Sequence, residues 1–192
     1  RAKACHVRDM VLDLICSLSI KDNFLTILDG IKRNKPNSPS KIRRLSIQNT
    51  MVEPTTLRLD TRTMPQVRSV TLFPSAIDQM PSLSCFQVLR VLYLEYCDLR
   101  EIGHKINMRC VVNLLHLRYL GLRSTFVREL RVEVGNLQFL ETLDLAKNGS
   151  GIRVIPPSAV RLKRLIFLDA GYAVLPVGIG NLTSLEELAG KL

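Results

Sequence analysis

The chain has 192 residues, 46% of them apolar and 23% charged, no Trp, and a net charge of +10. Its mean hydropathy of +0.13 excludes a charge-dominated disordered polymer, and no stretch supplies the roughly 18–20 uninterrupted apolar residues of a membrane-spanning helix. Basic residues are in excess in both halves, with the densest clusters at Lys41, Arg43 and Arg44 and at Arg161, Lys163 and Arg164; this spread reads as a solvated basic surface, with an acidic partner surface or phosphate as the alternative, and not as the concentrated basic face of a nucleic-acid binder.

Taken in chain order, Val7, Met10, Val11, Leu14, Ile15 and Leu18 follow the 3, 4, 7, 8 spacing of one helix face, so residues 4–19 are expected to be helical, with Asp9 near the start. Residues 23–28, Asn-Phe-Leu-Thr-Ile-Leu, read as a short strand, and the segment from Asn34 to Ser40 with its two prolines as a loop. One helix and one strand are too few for a core of their own. Residues 1–33 therefore read as the tail of a preceding unit and 34–41 as a linker, and the start, without Met or a signal-peptide core, reads as internal to a longer protein.

From residue 42 onward one pattern returns: Leu, two residues, Leu, two residues, Leu, one residue, apolar. It appears as Leu114, Leu117, Leu120 and Leu122, as Leu137, Leu140, Leu143 and Leu145, and as Leu162, Leu165, Leu168 and Ala170. Phe86, Leu89, Leu92 and Leu94 form an earlier copy; Ile42, Leu45, Ile47 and Val67, Val70, Leu72 are degenerate ones, and Leu182, Leu185, Leu188 begins a last one that is cut short. The first inner apolar residue of each copy stands at 45, 70, 92, 120, 143, 168 and 188, with steps of 25, 22, 28, 23, 25 and 20, around the roughly 20–29 residues of leucine-rich repeats.

The spacing has a physical cause. Residues two apart on a strand point to the same side, so each Leu-x-Leu sends two side chains inward, and the leucines three positions earlier lie on the turn that leads in. One coil cannot cover its own core; its neighbours do. Three residues beyond each inner pair stand Thr50, Ser75, Cys97, Thr125, Asn148 and Ala173, the place where such repeats use Asn or Cys to hydrogen-bond the turning backbone. Cys97 is thus expected to be a structural thiol, and Ala173 to leave its coil looser. Prolines and glycines between strands, as in Ile155-Pro156, Leu175-Pro176 and Val134-Gly135-Asn136-Leu137, suppress long helices and predict irregular or 3-10 segments there.

The fold expected is an α/β solenoid of about seven leucine-rich repeats over residues 42–192, the last one truncated, with short parallel strands on a concave face. On that face the residues between and beside the inner pairs point outward: Arg44, Ser46 and Gln48; Ser69, Thr71 and Phe73; Val91, Tyr93 and Glu95; Tyr119, Gly121 and Arg123; Thr142, Asp144 and Ala146; Phe167, Asp169 and Gly171. Phe73, Tyr93, Tyr119 and Phe167 place aromatics in four coils, the residue type that anchors protein interfaces.

Chemistry-bearing patterns are few. The cysteines at 5, 16, 85, 97 and 110 are odd in number and widely spaced, and with His6, His104 and His116 they form no local zinc pair; reduced thiols of an intracellular protein are expected. There is no phosphate-gripping Gly-x-x-x-x-Gly-Lys-[Ser/Thr] loop, no Gly-x-Ser-x-Gly elbow and no His-Glu-x-x-His helix, so catalysis, a metal and a cofactor of this segment's own are not expected.

Two stretches carry a resemblance. Cys5-His6-Val7-Arg8-Asp9-Met10-Val11-Leu12-Asp13-Leu14 and Lys41-Ile42-Arg43-Arg44-Leu45-Ser46-Ile47 resemble the junction between the nucleotide-binding module and the repeats of plant intracellular immune receptors, the coiled-coil, nucleotide-binding, leucine-rich-repeat disease-resistance proteins. The resemblance implies that residues 1–33 are the end of a winged-helix subdomain, and that the full-length parent binds ADP or ATP. It also implies that the repeats hold the nucleotide-binding module inactive or sense a pathogen effector or guarded host protein, in the cytoplasm, at the nucleus or at a membrane. In that family a His of a Met-His-Asp or Val-His-Asp motif approaches the β-phosphate of ADP; here the matching residue is Arg8, between Val7 and Asp9, a departure that leaves phosphate contact and a plain surface role both open. Two other classes remain in view: an extracellular repeat ectodomain, for which Asn148-Gly149-Ser150 and Asn181-Leu182-Thr183 would be glycosylation sequons, and a generic intracellular repeat scaffold.

Overall fold

A computed structural model describes residues 10, 14, 17–19, 25–28, 42–48, 64–100, 108–148 and 151–190. The apolar repeat builds one parallel sheet of eight strands, taken in strict chain order: β1 (Thr26–Leu28), β2 (Arg44–Ile47), β3 (Ser69–Leu72), β4 (Val91–Tyr93), β5 (Tyr119–Gly121), β6 (Thr142–Asp144), β7 (Phe167–Asp169) and β8 (Glu187–Ala189). Each strand pairs only with its neighbours in sequence, as a coil that advances by one strand per turn requires.

The register is the one the repeat dictates. Leu45, Val70, Leu92, Leu120, Leu143, Leu168 and Leu188 lie side by side in a single column. From Leu45 to Leu168 that column is at most 1% exposed. The leading leucines are buried with it in one continuous core, from Ile42 and Val67 through Leu89, Leu117, Leu140 and Leu165 to Leu182. Fully burying one such side chain is worth about 1.5–3 kcal/mol before ordering entropy is subtracted. The last copy is thinner: Leu188 is 43% exposed on β8, which pairs with β7 alone.

Between strands the chain returns through short 3-10 turns at Pro74–Gln79, Leu83–Cys85, Val132–Asn136, Pro157–Arg161 and Ile179–Asn181, and through one turn of α-helix, α1 (Met108–Val111). This matches the 3-10 segments expected from the Pro and Gly placement. Neighbouring returns pack tightly. A Cβ on Gly135 would collide with the Ser158 carbonyl oxygen, so this glycine is set by the approach of two backbones.

Two differences from the sequence reading concern the leading segment and one turn. β1 falls within the expected strand at residues 23–28, but it pairs in parallel with β2, Thr26 opposite Leu45, and so is a member of the repeat sheet. Met10, Leu14 and residues 17–19 are helical as expected, while the described members of the apolar stripe, Met10, Leu14 and Leu18, are exposed. Ser75, assigned by spacing to the interior of the stack, is exposed, and Ala76 is buried instead. The cause is Pro74, which starts a 3-10 turn directly after β3 and rotates the following residues by one place.

Candidate functional site

In the column three residues beyond the inner pairs, Cys97 and Asn148 make the backbone hydrogen bonds that their chemistry predicts. The Cys97 thiol donates to the Leu72 carbonyl of the preceding coil at 3.5 Å. Asn148 Nδ2 donates to the carbonyls of Leu122 (2.6 Å) and Leu145 (2.9 Å), and its Oδ1 accepts from the Thr125 amide at 3.0 Å. Burial pushes the Cys97 thiol up to about 11, so it is a neutral structural donor and no nucleophile. Asn148 is 5% exposed with its whole amide engaged, which removes it as a glycan acceptor; Asn181 is exposed. Ala173 is buried in the same column with no polar side-chain group to offer.

The outer face of the sheet carries three columns. Arg44, Ser69, Val91, Tyr119, Thr142 and Phe167 form the first; Ser46, Thr71, Tyr93, Gly121, Asp144 and Asp169 the second. Gln48, Phe73, Glu95, Arg123, Ala146 and Gly171 follow two residues later. Arg44 and Phe73 are exposed, and most of the others are half-buried. Ser46, Glu95, Gly121, Asp144 and Ala146 are buried although they stand on these outward columns.

The burial has a reason: the centre of the face is a bonded cluster. Tyr93 donates its hydroxyl to Glu95 Oε2 at 3.0 Å and Tyr119 to Glu95 Oε1 at 2.9 Å, and the two rings stack with centroids 6.3 Å apart. Arg123 donates to Asp144 Oδ2 through Nε (3.1 Å) and Nη2 (2.7 Å), and lies 3.6 Å from Asp169 and 3.8 Å from Glu95. The aspartates are fixed from behind, Asp144 by the Ala146 amide at 2.9 Å and Asp169 by the Gly171 amide at 3.0 Å. Gly121 makes the tyrosine pose available, since a Cβ there would meet Tyr119 Cε1 at 2.9 Å and Glu95 Oε1 at 3.0 Å. Desolvation, and next the Glu95 hydrogen bond, push the Tyr93 phenol up to about 12, and the Tyr119 phenol rises further for the same two reasons. Three carboxylates around one guanidinium make this an electronegative spot on a cationic chain.

A second feature escaped the sequence reading. Two positions before each inner apolar residue stand Arg43, Arg68, Arg90 and Arg118, then Glu141. The backbone aligns them directly: the Arg68 amide donates to the Arg43 carbonyl (2.7 Å), Arg90 to Arg68 (2.8 Å), Arg118 to Arg90 (2.7 Å) and Glu141 to Arg118 (2.8 Å). All four arginines are exposed. The signal was present in the sequence, but only once the inner column had been laid down.

Among the described residues no group of three or more His, Cys, Asp or Glu is placed to hold a metal, and no helix is long and apolar enough to cross a membrane. Val7, Arg8 and Asp9, Thr50, and the linker at 34–41 lie outside the described residues.

A stack of parallel strands with a leucine core, a polar ladder of Cys and Asn at its turns and 3-10 returns defines the class. The chain belongs to the leucine-rich-repeat family: the family described as leucine-rich repeat region matches residues 66–191. It is 34% identical over 175 residues to the disease resistance protein Pik-2 of Oryza sativa subsp. japonica, and 33% identical over 176 residues to the disease resistance protein PIK6-NP of the same organism; each alignment covers 89% of this chain. To the rice disease resistance protein RGA4 it is 30% identical over 193 residues, covering 100% of this chain. The chain spans 16% to 18% of the length of these relatives. The similarity to these disease resistance proteins therefore extends over most of the chain.

Proposed function

We propose that this chain is the non-catalytic protein-interaction region of an intracellular plant disease-resistance receptor, which restrains the receptor at rest and takes part in sensing an effector or a guarded host protein. One observation carries the reading: the bonded cluster of Tyr93, Glu95, Tyr119 and Arg123 on the outer face. Rigid aromatic and Arg side chains, held by their own hydrogen bonds before a partner arrives, lose little freedom on binding. The similarity to disease resistance proteins supplies the biological setting. The burial of Asn148 removes one of the two sequons on which an extracellular reading would draw.

A receptor of this kind is a two-state switch, and a ligand moves it only through unequal affinity for its states. The basic edge at Lys41–Arg44 is assigned the contact with the nucleotide-binding module, and the outer face the contact with the sensed protein. In the full-length receptor, Arg43→Glu with Arg44→Glu is expected to raise resting cell-death output. Unchanged output from a normally accumulating double variant counts against the resting-state role.

A further inference from the structure

Where the strands end, the chain turns through a left-handed backbone position. Tyr96, Ser124 and Lys147 occupy it four residues after Leu92, Leu120 and Leu143, with φ of 65°, 54° and 55°. Glycine adopts that conformation freely and a bulky side chain does not; in the next coil Gly171 takes it, at φ 60°. Tyr96 and, two places beyond this column, Phe126 at φ 58° are aromatics held in it, and both rings are exposed. Backbone strain of this kind gathers at sites where a side chain must be presented.

The backbone sets these residues along one edge of the stack. The Tyr96 amide donates to the Arg123 carbonyl (2.8 Å) and the Ser124 amide to the Ala146 carbonyl (3.0 Å); further on, Val154 pairs in parallel with Val174. Tyr96, Phe126, Val154, Tyr172 and Val174 are all exposed, Tyr172 and Val174 by 69% and 64%. Arg100, Arg128, Lys147 and Arg153 are exposed in the same segments, and the Arg100 guanidinium lies 4.4 Å from the centre of the Phe126 ring. Two carboxylates share the edge, Asp98, which is bound to Arg100, and Glu129. Among the described residues Arg128, Lys147 and Arg153 make no ion pair.

We propose that this strand-exit edge docks peripherally on an anionic lipid bilayer, its apolar tips at the boundary of headgroups and acyl chains and its cations on the lipid headgroups. The distribution of side chains selects a bilayer over a protein. The centre of a protein interface is depleted of charge, with polar groups at its rim. Here each coil puts a cation in the same segment as its apolar tip: Arg100 with Tyr96, Arg128 with Phe126, Arg153 with Val154. Such pairing suits a surface where long cationic side chains reach headgroups while their neighbours enter the apolar layer. Exposed apolar tips rimmed by charge are also a mark of membrane contact. Nucleic acid fits less well. One face of Phe126 is covered by Arg100, and Tyr96 and Tyr172 stand three coils apart, about 14 Å, with no continuous platform for stacked bases between them. This inference goes beyond the receptor reading and does not depend on it.

The test is flotation of the full chain with vesicles of phosphatidylcholine and phosphatidylserine, compared with pure phosphatidylcholine vesicles and with binding to a single-stranded oligonucleotide. The chain is expected to float with the anionic vesicles, and less so as salt is added. Arg128→Glu with Arg153→Glu is expected to weaken binding about tenfold or more, while the same charge change at Arg68 and Arg90, on the strand-entry side, has a much smaller effect. If the reversal variant does not fold, Arg128→Gln with Arg153→Gln replaces it, with the same ranking expected. Tyr96→Gly with Phe126→Gly removes both rings and suits the left-handed backbone, so vesicle binding is expected to fall at an unchanged urea midpoint. A midpoint that falls together with binding would make the rings structural and overturn the proposal. So would equal binding to the two kinds of vesicle or to neither, equal losses at the two arginine pairs, or tighter binding to the oligonucleotide.

Discussion

Glu95 is the residue on which the outer face turns. Its two oxygens each accept a tyrosine hydroxyl, which fixes the ring pair and covers the carboxylate. The consequence for pH follows from where the phenolic protons sit. A phenol in the unfolded chain titrates near about 10, whereas Tyr93 is held protonated up to about 12 and Tyr119 beyond it. The folded state therefore keeps protons that the unfolded state gives up. That contribution is fully present below about pH 10 and is lost as pH rises through about 12. Urea midpoints are expected to fall across this window, and phenolate absorbance to show two late-titrating tyrosines. In Glu95→Gln the carboxylate contribution disappears while burial remains, so both late titrations move down only part of the way. A titration identical to that of the parent protein would mean that Glu95 does not accept these bonds in solution.

The coil is the element in which the energy is organised. Leu143 of β6 is wholly buried between two neighbouring strands, whereas Leu188 of β8 is 43% exposed and has a strand on one side only. Leu143→Ala is expected to cost about 2–5 kcal/mol, and Leu188→Ala less than about 1 kcal/mol. Equal shifts of the urea midpoint would show that burial along the stack is uniform, against this structure. The same contrast explains how much was legible in advance. Inner positions are forced: only an apolar residue two or three places from the last one fits the core, so the column from Leu45 to Leu188 and the 3-10 returns were readable. Outer positions are not forced. The Arg43–Arg118 column hides behind unequal steps of 25, 22 and 28 residues. The burial of Glu95 and Asp144 depends on tertiary facts, such as the missing Cβ of Gly121 that lets the Tyr119 ring lie down. Ser75 was misplaced because Pro74 fixes φ one residue earlier than the repeat pattern requires.

Across the whole molecule, exposed apolar side chains occur along the stack, as at Leu115, Val132 and Val154, and the two most exposed, Met10 and Val177, lie towards its two ends. Met10, Leu14 and Leu18 are exposed on the leading helical segment, and Val174, Val177 and Leu188 in the last coils, Val177 completely. The coils between them keep their inner leucines at 1% exposure or less from Leu89 to Leu145 apart from Leu99, Leu114 and Leu130 and the outward Leu115. In a stack where each repeat contacts only its neighbours, an end coil has half the stabilising interface of an inner one, and an open strand edge is a template for pairing with another chain. Opposing this is the net charge of +10, which keeps copies apart at low ionic strength. The balance is set by screening, because the Debye length falls from about 30 Å at 0.01 M salt to about 10 Å at 0.1 M, while apolar burial is unaffected over that range. The chain is therefore expected to associate with rising concentration, and more strongly as salt is added, as read by sedimentation velocity. Val177→Glu with Leu188→Glu should suppress the association although it lowers the net charge, because it removes the apolar edge itself. A sharp monomer at every concentration and salt, or association that weakens with salt, would show that charge pairing and not the apolar ends governs how copies meet.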